Sequence, residues 1–164
     1  MFKYQVANQE VVEIEKLRVQ RVLIAIANGA GQGDGSKLRA QLADEVELDL
    51  AALPAPARVA ADELVALSQG NAAVFGFTAE ATSLPEIEVD GFRARAVSYG
   101  HSFHARPLGA DQNLWLLYCR YEHELVRTEQ GWRVSAIKMR PVPGATRAPA
   151  RRKRNRAVAR ALAR

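Results

Sequence analysis

The sequence predicts an α+β fold: helices gathered in the first half of the chain, packed on one face of a strongly curved, mixed and largely antiparallel sheet built from the second half. Three observations carry this expectation. Ahead of Asn71, apolar residues recur three and four apart; beyond it they alternate with polar ones; and the alternating runs are divided by short stretches of turn-forming residues.

Residues 9–28 place Val11, Ile14, Leu17, Arg21 and Ile24 at helical spacing with Glu10, Glu13, Glu15 and Lys16 between them, the pattern of an amphipathic helix. NGAGQGDGS follows, and its four glycines with Asn28 and Asp34 read as a turn that ends the helix. A phosphate-cradling loop would have to end in Gly-Lys-Ser/Thr; this run ends in Gly-Ser-Lys and does not qualify. Asp34 or Ser36 caps a second helix, SKLRAQLADE, in which Leu38 and Leu42 lie one turn apart. VELDL alternates as a short strand, ALPAPAR is a rigid connector, and a third helix spans about residues 59–68 with Val59, Leu64, Val65 and Leu67 as its apolar content. The strands are then VFGFTAEATSL, EIEVDG, FRARAVSYGHSFHA, NLWLLYCRYEHELVRT and WRVSAIKMR, divided by Pro85, VDG, RPLGADQ and TEQG.

At 164 residues the chain suits one packed core rather than two. Its formal charge of +5 is carried by one end, because residues 147–164 hold eight Lys or Arg and no acid, leaving 15 bases against 18 acids over residues 1–146. We therefore expect a domain over 1–146 and a basic tail over 147–164, disordered or transiently helical, able to meet polyanions weakly and without sequence preference. The single cysteine, Cys119, excludes an intramolecular disulfide and a cysteine zinc cage, and on a strand it reads as a small buried hydrophobe. The longest apolar run, VLIAIA, is too short to cross a bilayer, and the first residues lack the basic start and apolar core of a secretory leader, so a cytoplasmic protein is expected.

Period two sorts the strand residues by face. Along GFRARAVSYGHSFHA one face carries Ala94, Ala96, Ser98, Gly100, Ser102 and His104; the other carries Arg93, Arg95, Val97, Tyr99, His101 and Phe103. Small residues on the first face leave room for helices or a ligand, which makes His104 the inward histidine and His101 the outward one. In the next strand Trp115, Leu117, Cys119, Tyr121, His123 and Leu125 share a face; Tyr121 is expected beside His104, and His123 near the rim. The three histidines show no metal-ligand spacing on a common face, and neither a metal nor a cofactor is expected.

Three stretches resemble one family together. SLPEIEVDGFRARAVSY, CRYEHELVRTEQGWRVS and GDGSKLRAQLADEVELD are similar, in the right order, to segments of the SnoaL-like branch of the nuclear transport factor 2 superfamily, the branch of scytalone dehydratase and polyketide cyclase-like proteins, and cover roughly residues 10–142. The resemblance implies a conical fold with three helices closing over the bent sheet, a pocket in the cone, and often a homodimer through the outer sheet face. Members that dehydrate or isomerise use an aspartate and a tyrosine near the end of the first helix with one or two sheet histidines. His104 falls where the later histidine is expected, whereas RVLIAIANGAG contains no Tyr-x-x-x-x-Asp and the earlier histidine aligns with about Glu80 or Ala81.

Proton abstraction beside a carbonyl needs a base near neutrality and a donor for the developing oxyanion. The candidate catalytic residues are His104, with Glu80 or Asp34 as carboxylate partner; the candidate ligand contacts are Tyr121, Trp115 and His123. Three readings follow: a cofactor-free lyase or isomerase acting on a hydrophobic cyclic carbonyl compound, a pocket that holds a small hydrophobic ligand without turning it over, and an interaction protein tethered to polyanions by its tail.

Overall fold

The computed structural model describes residues 2–51, 53–74, 77–105 and 114–144, with side chains from residue 9 onward except at positions 71, 74, 77, 114 and 115. The basic tail expected over 147–164 lies outside the described residues. Helix α1 (Phe2–Gln32) and helix α2 (Gly35–Arg39) precede strands β1 (Leu42–Leu50) and β2 (Ala57–Ala60); α3 (Ala61–Val74) leads into β3 (Phe77–Thr82), β4 (Glu86–Asp90), β5 (Arg93–Ala105), β6 (Leu114–Thr128) and β7 (Gly131–Pro141). The strands form one open, curved sheet in the order β2-β1-β7-β6-β5-β3, with β4 also paired to β5. Only β1 with β7 is parallel among these pairs. Among the described residues no helix is long and apolar enough to cross a membrane.

The helical half departs from the sequence expectation at three places. The helix does not stop at Asn28: α1 continues through Gly29 and Gly31, and only Gly33, at φ 68°, turns the chain. A Cβ on Gly29 would stand 3.0 Å from the Leu38 nitrogen and one on Gly31 would stand 3.3 Å from the Thr78 carbonyl oxygen, so these glycines let α1 lie close against α2 and β3. That close packing offsets the cost of glycine within a helix, about 1 kcal/mol per residue relative to alanine. The second helix is shorter than expected, because Leu42 begins β1, where it is 2 % exposed and lies opposite Val134 of β7. Val59, expected in the third helix, is instead a strand residue opposite Val46 of β1, and α3 starts two residues later with Asp62 and Glu63 in its first turn.

In the sheet half the alternation holds. Along β5 the residues Ala94, Ala96, Ser98, Gly100 and Ser102 are buried, while Arg93, Arg95, Tyr99 and His101 are exposed. Asp90 and Arg93 close the β4–β5 hairpin around Gly91, whose φ of 55° suits the glycine. Strands β3 and β4 share one edge of β5: β3 pairs with Gly100–Ala105 and β4 with Arg93–Val97, so the break at Ser83, Leu84 and Pro85 falls midway along that edge. Ser83 holds the break to β5 through its nitrogen to the Tyr99 carbonyl (2.7 Å) and through its Oγ, which accepts from the Tyr99 nitrogen (3.1 Å).

The core gathers Val19 and Val22 of α1, Leu38, Val46 and Leu48, and Leu125, Trp132 and Val134 from the far end of the sheet. The stripe that identifies α1 in the sequence is not the one that meets the sheet, since Val11, Ile14, Leu17 and Ile24 are 48–57 % exposed while Val19 is 0 % exposed. A polar clamp fixes this choice of face. Glu15 accepts from Trp132 Nε1 at 2.7 Å and from Arg127, whose guanidinium also lies 5.6 Å from the Trp132 ring centroid. The hydrogen bond from Arg127, followed by that from Trp132, holds the Glu15 carboxyl below the usual carboxylate range despite its burial. Glu15→Ala strands the indole N–H and the guanidinium, and is expected to cost about 1–3 kcal/mol of stability in chemical denaturation. A carboxyl with a lowered folded pKa stabilises above its ordinary pKa and loses that contribution as pH falls, so the deficit of the variant should shrink in acid; an unchanged deficit would show that the clamp is not ionic.

Candidate active site

Between the sheet and the helices lie two neighbouring cavities. The larger, about 280 Å³, opens where α1 passes the break between β3 and β4; Ile24 and Leu84, 51 % and 83 % exposed, stand on its wall beside Pro85. Its apolar lining comes from Leu23, Ile26, Leu64 and Ile137, and its polar groups include Gln20, Ser68, Glu80, Tyr121 and His123. The smaller, about 200 Å³, is lined by Leu48, Leu50 and Leu67 together with Thr78, Glu80 and His104. Glu80 borders both. Among the described residues no lysine or arginine lines either cavity.

Strand register explains this placement. Glu80 of β3 sits opposite Ser102 of β5, His104 sits opposite Thr78 on one side and Trp115 on the other, and Tyr121 of β6 lies opposite Ser98. With period two, the side chains of Thr78, Glu80, Ser98, His104 and Tyr121 share the concave face. His101 lies on the convex one, exposed, its ring stacked on Tyr118 at 4.3 Å.

Each ionisable group shows the mark of its surroundings. Burial pushes the Glu80 carboxyl up to about 7. Burial likewise pushes His123 down to about 4, so it is a neutral imidazole at neutral pH, and its buried Nδ1 has no hydrogen-bond partner among the described residues. The Tyr121 hydroxyl is raised above its ordinary pKa, first by burial and then by the charge of Glu80, and lies 3.1 Å from Ser102 Oγ. When Ser102 donates in that pair, the phenolic proton is directed to a ligand. His104 Nδ1 is 3.3 Å from Thr78 Oγ1.

The expected site residues thus separate. Glu80, Tyr121 and His123 share the larger cavity, His123 half-buried with its Nδ1 buried; Glu80 and His104 share the smaller one. Asp34 lines neither. Its carboxylate caps α2, accepting from the Lys37 nitrogen at 3.0 Å and from Ser36 Oγ at 2.8 Å, and the first of these bonds is the main reason its pKa is lowered. The backbone of Trp115 pairs with His104, while its side chain lies outside the described ones. Cys119 is 0 % exposed and burial raises its thiol pKa, which fits a packing role. Among the described residues no cluster of His, Cys, Asp or Glu could hold a metal ion. The Ser102–Tyr121 hydroxyl pair escapes sequence reading because its members lie nineteen residues apart and not directly opposite in register.

Helices followed by an open, bent, mostly antiparallel sheet, with a cavity enclosed between them, define an α+β cone of the nuclear transport factor 2-like kind. The chain belongs to the SnoaL-like domain family, whose profile matches residues 15–138. Solved structures share the fold at low identity. A protein from Kribbella flavida, Kfla4162, is 21% identical with a TM-score of 0.72, covering 93% of this chain and 99% of its own. A protein from Streptomyces avermitilis provisionally assigned as a dehydratase of the NTF2-like family is 15% identical with a TM-score of 0.71, covering 81% and 99%. One from Novosphingobium aromaticivorans provisionally assigned as a scytalone dehydratase is 16% identical with a TM-score of 0.69, covering 90% and 99%. No significant match is found among curated proteins.

Proposed function

We propose that the protein is a cofactor-free lyase or isomerase acting on a small, uncharged, hydrophobic carbonyl compound in the larger cavity. The observation that carries this reading is a desolvated carboxyl, Glu80, poised near neutrality in an apolar cavity beside the Tyr121 hydroxyl. The proton-transfer role expected of His104 falls to Glu80, since Glu80 borders both cavities and His104 only the smaller. Glu80 takes the proton from the carbon beside the carbonyl, the electron pair passes into an enolate, and Tyr121 donates to its oxygen. Where the enolate is conjugated with a further double bond, return of the proton to its γ-carbon completes an isomerisation; transfer of the proton to a departing β-hydroxyl, which leaves as water, completes a dehydration. His123, held uncharged by burial, contributes a neutral imidazole to the cavity lining. The lack of a lining cation among the described residues disfavours carboxylate and phosphate substrates. The neighbours assigned as dehydratases make the lyase arm the natural first test.

The test is solvent deuterium exchange. A panel of cyclic and aryl ketones incubated with the protein in heavy water is expected to include compounds whose α-protons exchange faster than in buffer, read by proton NMR, and Tyr121→Phe should slow that exchange about 100-fold. A panel that binds by thermal shift yet shows no exchange would favour the non-catalytic pocket instead.

A further inference from the structure

The two cavities beside Glu80 are lobes of one space. Four residues line both: Ala30 of α1, Leu64 and Ser68 of α3, and Glu80 of β3. The lobes stand in line along β3, where Thr82 borders the larger alone, Glu80 both and Thr78 the smaller alone, successive members being about 7 Å apart. Glu80 therefore sits at a waist. Ala30 and Ser68 are small, so the narrowing there rests on Leu64 and Glu80, whose side chains can change rotamer. Neither lobe alone, at about 280 and 200 Å³, reaches the roughly 300–1,000 Å³ usual for a ligand pocket, whereas the two joined do.

The smaller lobe is walled by Leu48, Leu50 and Leu67. Its polar atoms Thr78 Oγ1 and His104 Nδ1 lie 3.3 Å apart and satisfy each other. An apolar cavity of about 150 Å³ is enough to take up benzene, so this lobe has room for a phenyl-sized group. On the reading that Glu80 takes the α-proton, on which this inference rests, the waist also fixes how the substrate lies. Its carbonyl oxygen is in the larger lobe with Tyr121, the carbon that loses the proton is at Glu80, and whatever that carbon carries points into the smaller lobe. We propose that the smaller cavity is an arm subsite, and that the ligand is a ketone bearing a phenyl-sized apolar arm on the carbon beside its carbonyl, lodged among Leu48, Leu50 and Leu67. Such a compound fills the space on both sides of Glu80 and displaces water from each.

Two isomeric ketones test this in the full chain. 3-Phenylpropiophenone carries its second ring on the arm, and 4-phenylpropiophenone carries the same ring on the head, so the pair differ in shape and not in composition. By titration calorimetry the wild type is expected to bind the first about tenfold or more tightly than the second, the return on burying one phenyl group. Ala72→Phe and Leu67→Trp fill the smaller lobe from α3 and should bring that ratio to about one, with circular dichroism confirming that each variant folds. Intermolecular NOEs from the arm ring to the methyl groups of Ala72 and Thr78 locate the arm in the wild type without recourse to either variant. A wild-type ratio near one, including the case in which neither ketone binds, overturns the proposal, as does absence of those NOEs or a ratio that survives in both folded variants. Binding carries the outcome, so the two readings fail apart. Arm-dependent binding without α-proton exchange would sustain the subsite and overturn the lyase or isomerase, and exchange with no preference for the arm would do the reverse.

Discussion

Glu80→Gln is expected to reduce catalysed α-proton exchange by about 1000-fold while leaving ligand affinity within a few-fold of wild type. The amide keeps the shape of the carboxyl and its place between the two cavities but cannot accept a proton at any accessible pH. In the wild type the exchange rate in the free enzyme should rise with pH and level off above about 7, because burial sets the Glu80 pKa there and only the carboxylate is a base. In the variant that rise should vanish. His104→Ala separates this reading from the histidine-based one: His104 touches only the smaller cavity and is hydrogen-bonded to Thr78, so its loss should slow exchange far less than loss of Glu80. Equal losses in the two variants, or a pH rise that survives Glu80→Gln, would return the base role to the imidazole.

The fold and the site were legible in the sequence to different degrees, for physical reasons that particular residues make plain. Strand alternation is set by backbone geometry alone, and it separates His104 from His101 on β5 without knowledge of the neighbours. Glycine is more ambiguous. A run of glycines reads as a turn because the isolated helix loses stability there, yet Gly29 and Gly31 stay helical where α2 and β3 approach more tightly than a side chain ordinarily allows. That approach is a tertiary fact, absent from the local pattern. Likewise Val59 suits either a helix or a strand until β1 lies beside it.

The same limit governs the cavity. Glu80 could be placed on a strand from the sequence, but whether it titrates as a surface carboxylate or near neutrality depends on α1 and α3 covering that strand. Asp34 shows the converse: its position just ahead of a helix suits a cap and an acid equally, and the Lys37 and Ser36 contacts decide for the cap in this structure. The apolar stripe of α1 identified the helix but not its inner face, because the inward direction is fixed by Glu15 reaching Trp132 and Arg127 more than a hundred residues away.

Glu80 and His123 should impose opposite pH dependences on folding, and the two can be unmasked separately. Glu80 has a raised folded pKa, about 7 against an ordinary 4.5, so its contribution to stability is greatest in acid and is lost as pH climbs between those values. Each pKa unit is worth about 1.4 kcal/mol, which puts the loss at about 3 kcal/mol. His123 has a lowered folded pKa, about 4 against 6.5; it stabilises the fold when neutral and that contribution is lost as pH falls through the same region. In the wild type the two slopes largely cancel. Glu80→Leu removes one of them, and is expected to be more stable than wild type by about 3 kcal/mol near pH 8, with the gain gone below about pH 4.5 and a steeper decline into acid. His123→Leu should show the reverse, a stability that rises as pH falls from 7 toward 4.5. Denaturation curves of the two variants that run parallel to the wild type across this range would mean that neither group is desolvated in the folded chain. A gain from Glu80→Leu would instead identify a buried carboxyl that costs the empty protein stability, the kind of cost expected where a base is kept near neutrality for a proton transfer.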